Sequence, residues 1–359
     1  MSERDRHAEL AYRALYARHS SEAELLATAD AVCSAWTPLH GSLFGLSLSS
    51  REVVGYLSSG RRKTRGFSVR GDDLLRVELP VEGARGLPRG GRARAYLLVN
   101  PSDHMACLLG FPADHASVWV ELRRYMLSSA ISVYLRTEEF RQSLLPLSRI
   151  VRVTGFTANV LWDGSQRVKT RREWFPVQKD VQEFFGELEE ERQWLRSIEL
   201  VVKDADQESS GRIKRDLTFS CQKGLSGFWR TALQAVRTTA GETRGIYEKR
   251  DVQSARGRAA RPLEIRYESA VFNDKRQNRR LIRVLRTLSD SGLSVFHPNP
   301  FLHAGLLDYS DGSTYTIWVT DNCAIKIIPG VRASARSLGR LCNHINECFE
   351  EGSIEEAPL

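Results

Sequence analysis

Arginine recurs at helical spacing in the segment DKRQNRRLIRVLRTLSD. At about 100° per residue, its five arginines fall within an arc of about 120° on a helix, and leucine and valine occupy much of the rest. These arginines are Arg276, Arg279, Arg280, Arg283 and Arg286. A guanidinium group is planar, binds phosphate through two parallel hydrogen bonds and stacks on bases. The chemistry predicted for this face is therefore the recognition of phosphate groups.

The charge of the same helix is one-sided. Six basic residues and no acidic residue lie between Lys275 and Ser289. A helix that merely faces water usually mixes both signs, because opposite charges at i,i+4 stabilise it. An anionic partner is therefore expected, and we favour a nucleic-acid backbone. Two alternatives stay open, an acidic protein surface such as the glutamates near Glu187 of this same chain, and a plainly solvated face.

Four further segments combine arginine with glycine or with aromatic residues, and all four are predicted to be loops. They are GRRKTRGFSVRG, ARGLPRGGRAR, RVKTRREWF and EKRDVQSARGRAARP. Flexible loops of this kind can follow a phosphate backbone without reading its sequence. The nucleic-acid contacts predicted here are Arg61, Arg62, Lys63, Arg65, Arg171, Arg172, Arg256 and Arg258. Trp174 and Phe175 are predicted to anchor the core rather than to stack on bases.

Motifs of catalytic sites are missing from the sequence. It contains no GxxxxGK[ST], GxGxxG, HExxH or GxSxG pattern and no cysteine and histidine set with zinc spacing. We therefore predict no catalytic residue, no metal and no cofactor. A divergent metal-dependent nuclease remains an alternative, with Asp308, Asp311, Asp321 and Lys326 as its nearest candidates. The segment HPNPFLHA, with His297, Asn299 and His303, is interpreted as a rigid turn or a ligand site.

Composition is that of an ordinary globular protein. The 359 residues are 42% hydrophobic and 27% charged, which excludes disordered, collagen-like and disulfide-scaffold classes. Lysine and arginine number 52 against 44 acidic residues, for a net charge of +8. Arginine supplies 43 of those 52 cations, a bias that also follows from GC-rich coding and suggests a prokaryotic source.

Cysteine usage and the N-terminal segment bear on compartment. The six cysteines are scattered without CxxC spacing, which predicts buried free thiols in a reducing cytoplasm. The first twenty residues are charged and helical rather than a signal peptide. No run of 18 apolar residues occurs, so no membrane partner is expected.

Periodicity predicts an α+β fold in which an N-terminal helical pair is followed by antiparallel hairpins, each packed with an amphipathic helix. Helices are predicted over 3–20, 21–35, 114–139, 178–195 and 275–289, and near both 225–236 and 338–349. Strands are predicted over 74–79, 93–99, 105–111, 150–162, 197–202, 213–220, 263–270, 314–319 and 323–328. The acidic C-terminal tail is predicted to be loose.

Two or three subdomains follow from this order of elements. The predicted divisions are a helical pair at 1–40, α+β units at 41–149, 150–245 and 262–359, and an Arg/Gly-rich loop or linker at 246–261. The function predicted is a non-catalytic, nucleic-acid-binding subunit of a larger assembly. It would bind DNA or RNA without sequence preference, and a protein-interaction scaffold is the first alternative.

Overall fold

The computed structural model describes residues 3–34, 37–46, 48–58, 68–70, 74–80, 92–100, 104–125, 130–161, 168–204, 207–251 and 261–357. Within it, the chain forms two compact units. Unit 1 comprises Met1–Ala158, Arg172–Glu191 and Leu195–Gly241, and unit 2 comprises Asn159–Arg171, Arg192–Trp194 and Glu242–Leu359. Helices and antiparallel sheets are both abundant, and the predicted α+β class is confirmed.

The first large set of elements precedes residue 251. In chain order they are α1 (Glu3–Leu15), α2 (Glu22–Val32), β1 (Leu39–Leu46), α3 (Ser50–Ser58), β2 (Ser68–Arg70), β3 (Leu74–Pro80), β4 (Arg92–Asn100), β5 (Met105–Gly110), α4 (Pro112–Tyr125), β6 (Ala130–Ile131), α5 (Thr137–Leu144), β7 (Val151–Leu161), β8 (Val168–Asp180), α6 (Val181–Glu190), β9 (Gln193–Asp204), β10 (Gln207–Lys214), β11 (Thr218–Lys223), α7 (Leu225–Phe228) and α8 (Gln234–Glu248). A single π-helical turn, Trp229–Leu233, joins α7 to α8. The strands form one sheet in the order β2-β3-β4-β5-β1-β11-β10-β9-β7-β8, and β6 pairs with β1.

Apolar residues of the β1–β5 region serve two separate cores, because successive side chains of a strand point to opposite faces. Leu75 and Val77 of β3 pack in a cluster with Val53 of α3 and Val118 of α4. Leu74 belongs to the other cluster, with buried residues of α1, α2, α6 and α8. This alternation of side chains between the two cores favours one register for the antiparallel β3–β4–β5 meander. The strands predicted over 74–79, 93–99 and 105–111 are confirmed as these three antiparallel strands.

Two predicted elements of unit 1 have different bounds in the structure. The long helix expected over 114–139 ends at Tyr125, and Ala130–Ile131 instead pairs as a short strand with the end of β1. The single strand expected over 213–220 is divided by a turn: residues 213–214 end β10, residues 215–217 form the turn, and residues 218–220 begin β11. Leu217 there has a φ of 59°, and Asp216 accepts hydrogen bonds from the backbone and side chain of Thr218, which turns the chain.

Unit 2 is built around a smaller antiparallel sheet. Its elements are β12 (Leu263–Arg266), α9 (Lys275–Arg286), β13 (Ser291–His297), β14 (Leu302–Asp308), β15 (Thr314–Asp321), β16 (Ala324–Pro329), α10 (Ala335–Cys348) and β17 (Ser353–Glu356). The strand order is β13-β14-β15-β16-β12-β17. Helices α9 and α10 contact each other and cover one face, where the Tyr315 hydroxyl of β15 donates to the Ser334 carbonyl at the start of α10.

The C-terminal region departs from the prediction at three places. Residues 246–248, predicted to begin the loop or linker, instead continue α8, in which Tyr247 is buried and Arg244 pairs with Glu248. The final helix, for which Gly352 is the C-terminal residue expected from sequence, ends instead at Cys348 as α10. The tail predicted to be loose contains β17, which pairs in antiparallel register with β12. The predicted hairpin of β15 and β16 is confirmed.

Length and hydropathy of the helices bear on membranes. Within the described ranges, no helix is both long enough and apolar enough to cross a bilayer.

Candidate nucleic-acid interface

Helix α9 is fixed in place by a capping residue and a buried apolar side. Asp274 precedes the helix and accepts a hydrogen bond of 2.9 Å from the backbone N–H of Arg276, which satisfies one of the free donors of the first turn. Leu281, Leu285 and the following Leu288 are buried. Because apolar burial fixes the rotation of the helix about its axis, the arc opposite these leucines must face solvent.

Four arginines occupy that solvent-facing arc, namely Arg276, Arg279, Arg283 and Arg286. Together with Ile282 they line an open surface groove of about 400 Å³. We call these four residues the arginine row. The structure thus brings together four of the five arginines that the periodicity of the sequence placed on one face.

Two of the four arginines of the row have no partner among the described residues, and the ion pair of a third is weak. Arg276 lies 3.9 Å from Asp274, but both side chains are largely exposed, and such pairs contribute little in water. Arg279 and Arg286 have no hydrogen-bond or ion-pair partner among the residues that the structure describes. Like charges at i,i+3 and i,i+4 destabilise a helix, so the row is more favourable when an anion lies against it.

Arg280 does not belong to the exposed face. It is 5% exposed, its guanidinium donates to the carbonyl oxygen of Phe349, and its Cζ lies 4.6 Å from the centre of the Phe349 ring. Burial lowers the pKa of its guanidinium. The sequence-based assignment of Arg280 to the phosphate-binding face is therefore corrected, because the residue caps an aromatic ring inside unit 2.

Arg171 and Arg172 lie in strand β8, not in a loop. The Arg172 guanidinium stacks 4.0 Å from the centre of the Trp174 ring, and it lies 3.7 Å from Glu199. The indole N–H of Trp174 also donates to Glu199, at 3.1 Å. Trp174 is 56% exposed, so its predicted role as a core anchor is wrong.

Other predictions for this segment and for the loops have different outcomes. Phe175, the second predicted anchor, does pack against the core. Six of the predicted contacts lie outside the described residues: Arg61, Arg62, Lys63, Arg65, Arg256 and Arg258. For those six the assignment stays a prediction from sequence.

The carboxylates considered for a nuclease site are engaged in local structure. Asp308 is buried and accepts hydrogen bonds from Ser310 and Ser337, while Arg340 lies 2.7 Å away. Burial raises the pKa of Asp308, but these hydrogen bonds and the nearby guanidinium outweigh it and leave that pKa below its usual value. Asp308 therefore stays ionised to hold the start of α10.

The other two candidate acids also make local contacts. Asp311 accepts from the backbone of Ser313 and the hydroxyl of Ser334, and Asp321 accepts from the backbone of Cys323. Across the described part of the chain, no group of three or more histidine, cysteine or acidic side chains is arranged to hold a metal ion.

Sequence reasoning missed a buried serine and histidine contact in unit 1. Ser42 Oγ and His115 Nε2 are 3.0 Å apart, and both side chains are enclosed by the core. Burial, followed by the charges of His40 and Lys214, lowers the pKa of His115 to about 3, so its imidazole is neutral at physiological pH. Helix α3 and strands β2 to β5 lie between the two residues in the sequence, so no local motif could reveal the contact. Enclosure leaves them a structural role.

Comparison with known proteins adds no family assignment. No protein-family model, curated protein or solved structure matches this chain. A function for this protein must therefore be inferred from the arginine row and its surroundings.

Proposed function

We propose that the protein binds nucleic acid through the arginine row of α9, without sequence preference, as a non-catalytic subunit of a larger assembly. One observation carries the proposal. Four exposed guanidinium groups follow one another along the same side of a helix that contains no carboxylate. Guanidinium is the side chain best suited to phosphate oxygens.

The dimensions of the row suit a phosphate backbone. At about 1.5 Å of rise per residue, the distance from Arg276 to Arg286 is about 15 Å along the helix. Double-stranded DNA presents about one negative charge per 1.7 Å of its axis, so every arginine of the row can reach a phosphate. Contacts of this kind position a protein on nucleic acid but carry no base information.

Other features support the remaining parts of the proposal. All six cysteines are free thiols, as expected for a protein of the reducing cytoplasm. Asp308 and Asp311, the acids best placed for a nuclease, are occupied by serine and arginine partners. The row therefore acts by docking, and catalysis would come from other subunits of the assembly.

The direct test is fluorescence anisotropy with a labelled duplex of about 20 base pairs over a salt series. The test variant carries Arg279→Glu, Arg283→Glu and Arg286→Glu. Its matched control carries Arg18→Glu, Arg51→Glu and Arg149→Glu, which change three exposed arginines of unit 1 and alter net charge equally. A gel of the products, with Mg²⁺ present, reports any cleavage.

We expect the wild type to bind with a salt slope of about −3 to −4, from four phosphate contacts. The α9 variant should bind about 100-fold more weakly and its slope should flatten by about 3, since each contact contributes roughly one unit. The control should remain close to the wild type. Equal losses in both variants would reduce the effect to net charge. No binding at 50 mM salt would overturn the proposal and leave an acidic protein surface as the partner of α9.

A further inference from the structure

The second notable surface of unit 2 is the outward face of its sheet. Alternate residues of β14 and β15 are buried on the face that α9 and α10 cover, so the residues between them point the other way. Two large aromatic side chains are exposed there: Phe296 of β13 at 64% and Trp318 of β15 at 38%. Aromatic rings cost free energy when they face water, so a surface that displays two of them is a candidate binding site.

Strand pairing aligns these rings in a row. His303 of β14 lies directly opposite Trp318 of β15, and Trp318 lies opposite Lys326 of β16. The ring centre of His303 is 4.9 Å from that of Phe296 and 5.5 Å from that of Trp318. We call Phe296, His303 and Trp318 the aromatic row. It crosses three adjacent strands and ends at a lysine.

A glycine next to the row sets the position of Phe296. A Cβ atom on Gly305 would lie only 3.1 Å from Cε2 of Phe296, so the phenyl ring rests over the backbone of β14 where no side chain intervenes. With one face against the sheet and most of its surface exposed, the ring presents its other face to solvent. This arrangement is a stacking platform rather than part of a core.

One cation, Lys326, lies directly opposite Trp318 at the end of the row. The residues of β13 and β14 that share its face, and Thr314, Thr316 and Trp318 of β15, carry no carboxylate; the acids of this face are Asp321, at the end of β15, and Glu264 of β12, which lies opposite Lys326. Lys326 has no hydrogen-bond or ion-pair partner among the described residues. The nearest acids across the sheet, Glu264 and Glu355, pair with Arg266 at 2.6 and 3.6 Å.

We propose that the aromatic row binds unpaired bases of single-stranded nucleic acid, which stack on Phe296 and Trp318 while Lys326 meets a neighbouring phosphate. Stacking on aromatic side chains beside cations is the usual way in which single strands are bound without sequence preference. The inference rests on the proposed function for its ligand class. It adds a second contact surface, on the face of the sheet opposite α9, and a preference for single strands.

Two probes separate the surfaces. One is labelled oligothymidylate of ten nucleotides, and the other is an abasic strand of equal length, which keeps the phosphates and lacks the bases. The arginine row should bind both alike. The aromatic row should bind only the first, because stacking requires a base.

The test variant combines Phe296→Ala with Trp318→Ala. Leu307→Ala is the matched control, since Leu307 is an aliphatic residue at 39% exposure on the same outward face. Trp318→Phe keeps a stacking ring while removing an indole fluorophore. A further pair, Phe296→Leu with Trp318→Leu, keeps apolar bulk in case the alanine variant is unfolded by circular dichroism.

We expect the wild type to bind oligothymidylate about 10-fold or more tightly than the abasic strand, in line with alanine substitutions at stacking sites. The alanine and leucine pairs should bind the two probes equally, whereas Leu307→Ala and Trp318→Phe should keep the difference. In Trp318→Phe, part of the fluorescence quenching caused by oligothymidylate should disappear.

The results that would contradict this inference differ from those that would contradict binding by the arginine row. Equal binding of both probes by the wild type would overturn the inference and leave the arginine row intact. Binding of oligothymidylate alone, unchanged by reversal of the α9 charges, would overturn the arginine row and support the aromatic row. No binding of either probe would overturn both. Sedimentation that shows a dimer dissociated by the alanine pair would instead assign this face to a second copy of the chain.

Discussion

Arginines gather in two regions of the molecule under opposite conditions. In unit 1, Arg76, Arg92 and Arg94 converge on the carboxylate of Glu78, with Arg92 and Arg94 at 3.5 and 3.3 Å and Arg76 in a short hydrogen bond. Register explains the meeting, because Glu78 of β3 lies directly opposite Arg94 of β4. In unit 2, the arginine row of α9 has no carboxylate on its helix.

The difference shows that a basic segment keeps its charge available to a partner only where the fold places few acids beside it. Arg92 and Arg94 belong to the segment ARGLPRGGRAR, which is predicted from the sequence to be a loop like the other Arg/Gly segments. The structure puts them in β4 and pairs them with Glu78. Glu78 and the row can each be altered to test this contrast.

The largest expected effect concerns Arg280 and its neighbour on α9. Arg280→Ala removes a buried hydrogen bond from a charged donor and a cation–π contact with Phe349, so the free energy of unfolding should fall by about 3 kcal/mol. The slope of oligonucleotide binding against salt should not change. Arg279→Ala should do the reverse, with stability within about 0.5 kcal/mol and a slope flatter by about 1. Urea unfolding and anisotropy on both variants measure the two effects, and a flatter slope for Arg280→Ala would contradict its burial.

Glu78→Gln is the next in size. Loss of the carboxylate leaves three guanidinium groups with weaker partners and should lower the free energy of unfolding by about 1–3 kcal/mol. If pairing is what keeps these arginines from anions, the same variant should bind a generic duplex more tightly than the wild type. Glu190→Gln is the control for that gain, because it changes net charge equally and removes an exposed acid of α6 that has no ion-pair partner among the described residues. Equal gains in the two variants would refute the role of pairing.

A smaller effect should appear on acidification. Burial by itself raises the pKa of Glu78. Arg76, Arg94 and Arg92 together lower it by more than burial raises it, so this pKa lies below its usual value. A carboxyl group whose pKa is lower in the folded state stabilises the protein above the pKa of the unfolded state, about 4.3, and this contribution is lost as pH falls through the folded value. The difference in unfolding free energy between the wild type and Glu78→Gln should therefore shrink from pH 6 to pH 3. A constant difference would show that the pairs do not depend on ionised Glu78.

The smallest effect is a gain of stability within the row. Arg279→Glu turns the like-charge pairs of residue 279 with Arg276 at i,i+3 and with Arg283 at i,i+4 into opposite-charge pairs, which should add a few tenths of a kcal/mol to the free energy of unfolding. Oligonucleotide affinity should fall in the same variant. A rise in melting temperature together with weaker binding would show that the row is arranged for a partner and not for the helix. A fall in melting temperature would count against self-repulsion.

The sequence predicts the part of the site that is encoded within one helix. Asp274, the apolar period and the arginine spacing lie within a few turns, so the start of α9 and four members of the row follow from local rules. The inward turn of Arg280 depends on Phe349, at the far end of α10, and no local pattern encodes that contact.

The aromatic row is a product of strand pairing. Phe296 precedes the segment HPNPFLHA and His303 lies within it, but Trp318 joins them only through the register of β14 with β15. In the segment TYTIWVT, Trp318 has the same parity as the threonines, with tyrosine, isoleucine and valine at the positions between. This pattern is the one local sign that Trp318 points outward. The prediction of a loose C-terminal tail is wrong for a related reason. The tail contains β17, whose partner β12 lies before α9 and α10 in the sequence.

The position of β12 has a consequence for the synthesis of the chain. Its neighbours in the sheet, β16 and β17, are both translated later, with α9, three further strands and α10 among the intervening residues. One edge of β12 therefore stays unpaired until residues up to Pro329 have been made, and the other edge until residues up to Glu356 have been made. Strand β17 closes this sheet at its edge. Chaperones that shield open strand edges would therefore act on unit 2 more than on the β3–β4–β5 meander, which pairs as it is made.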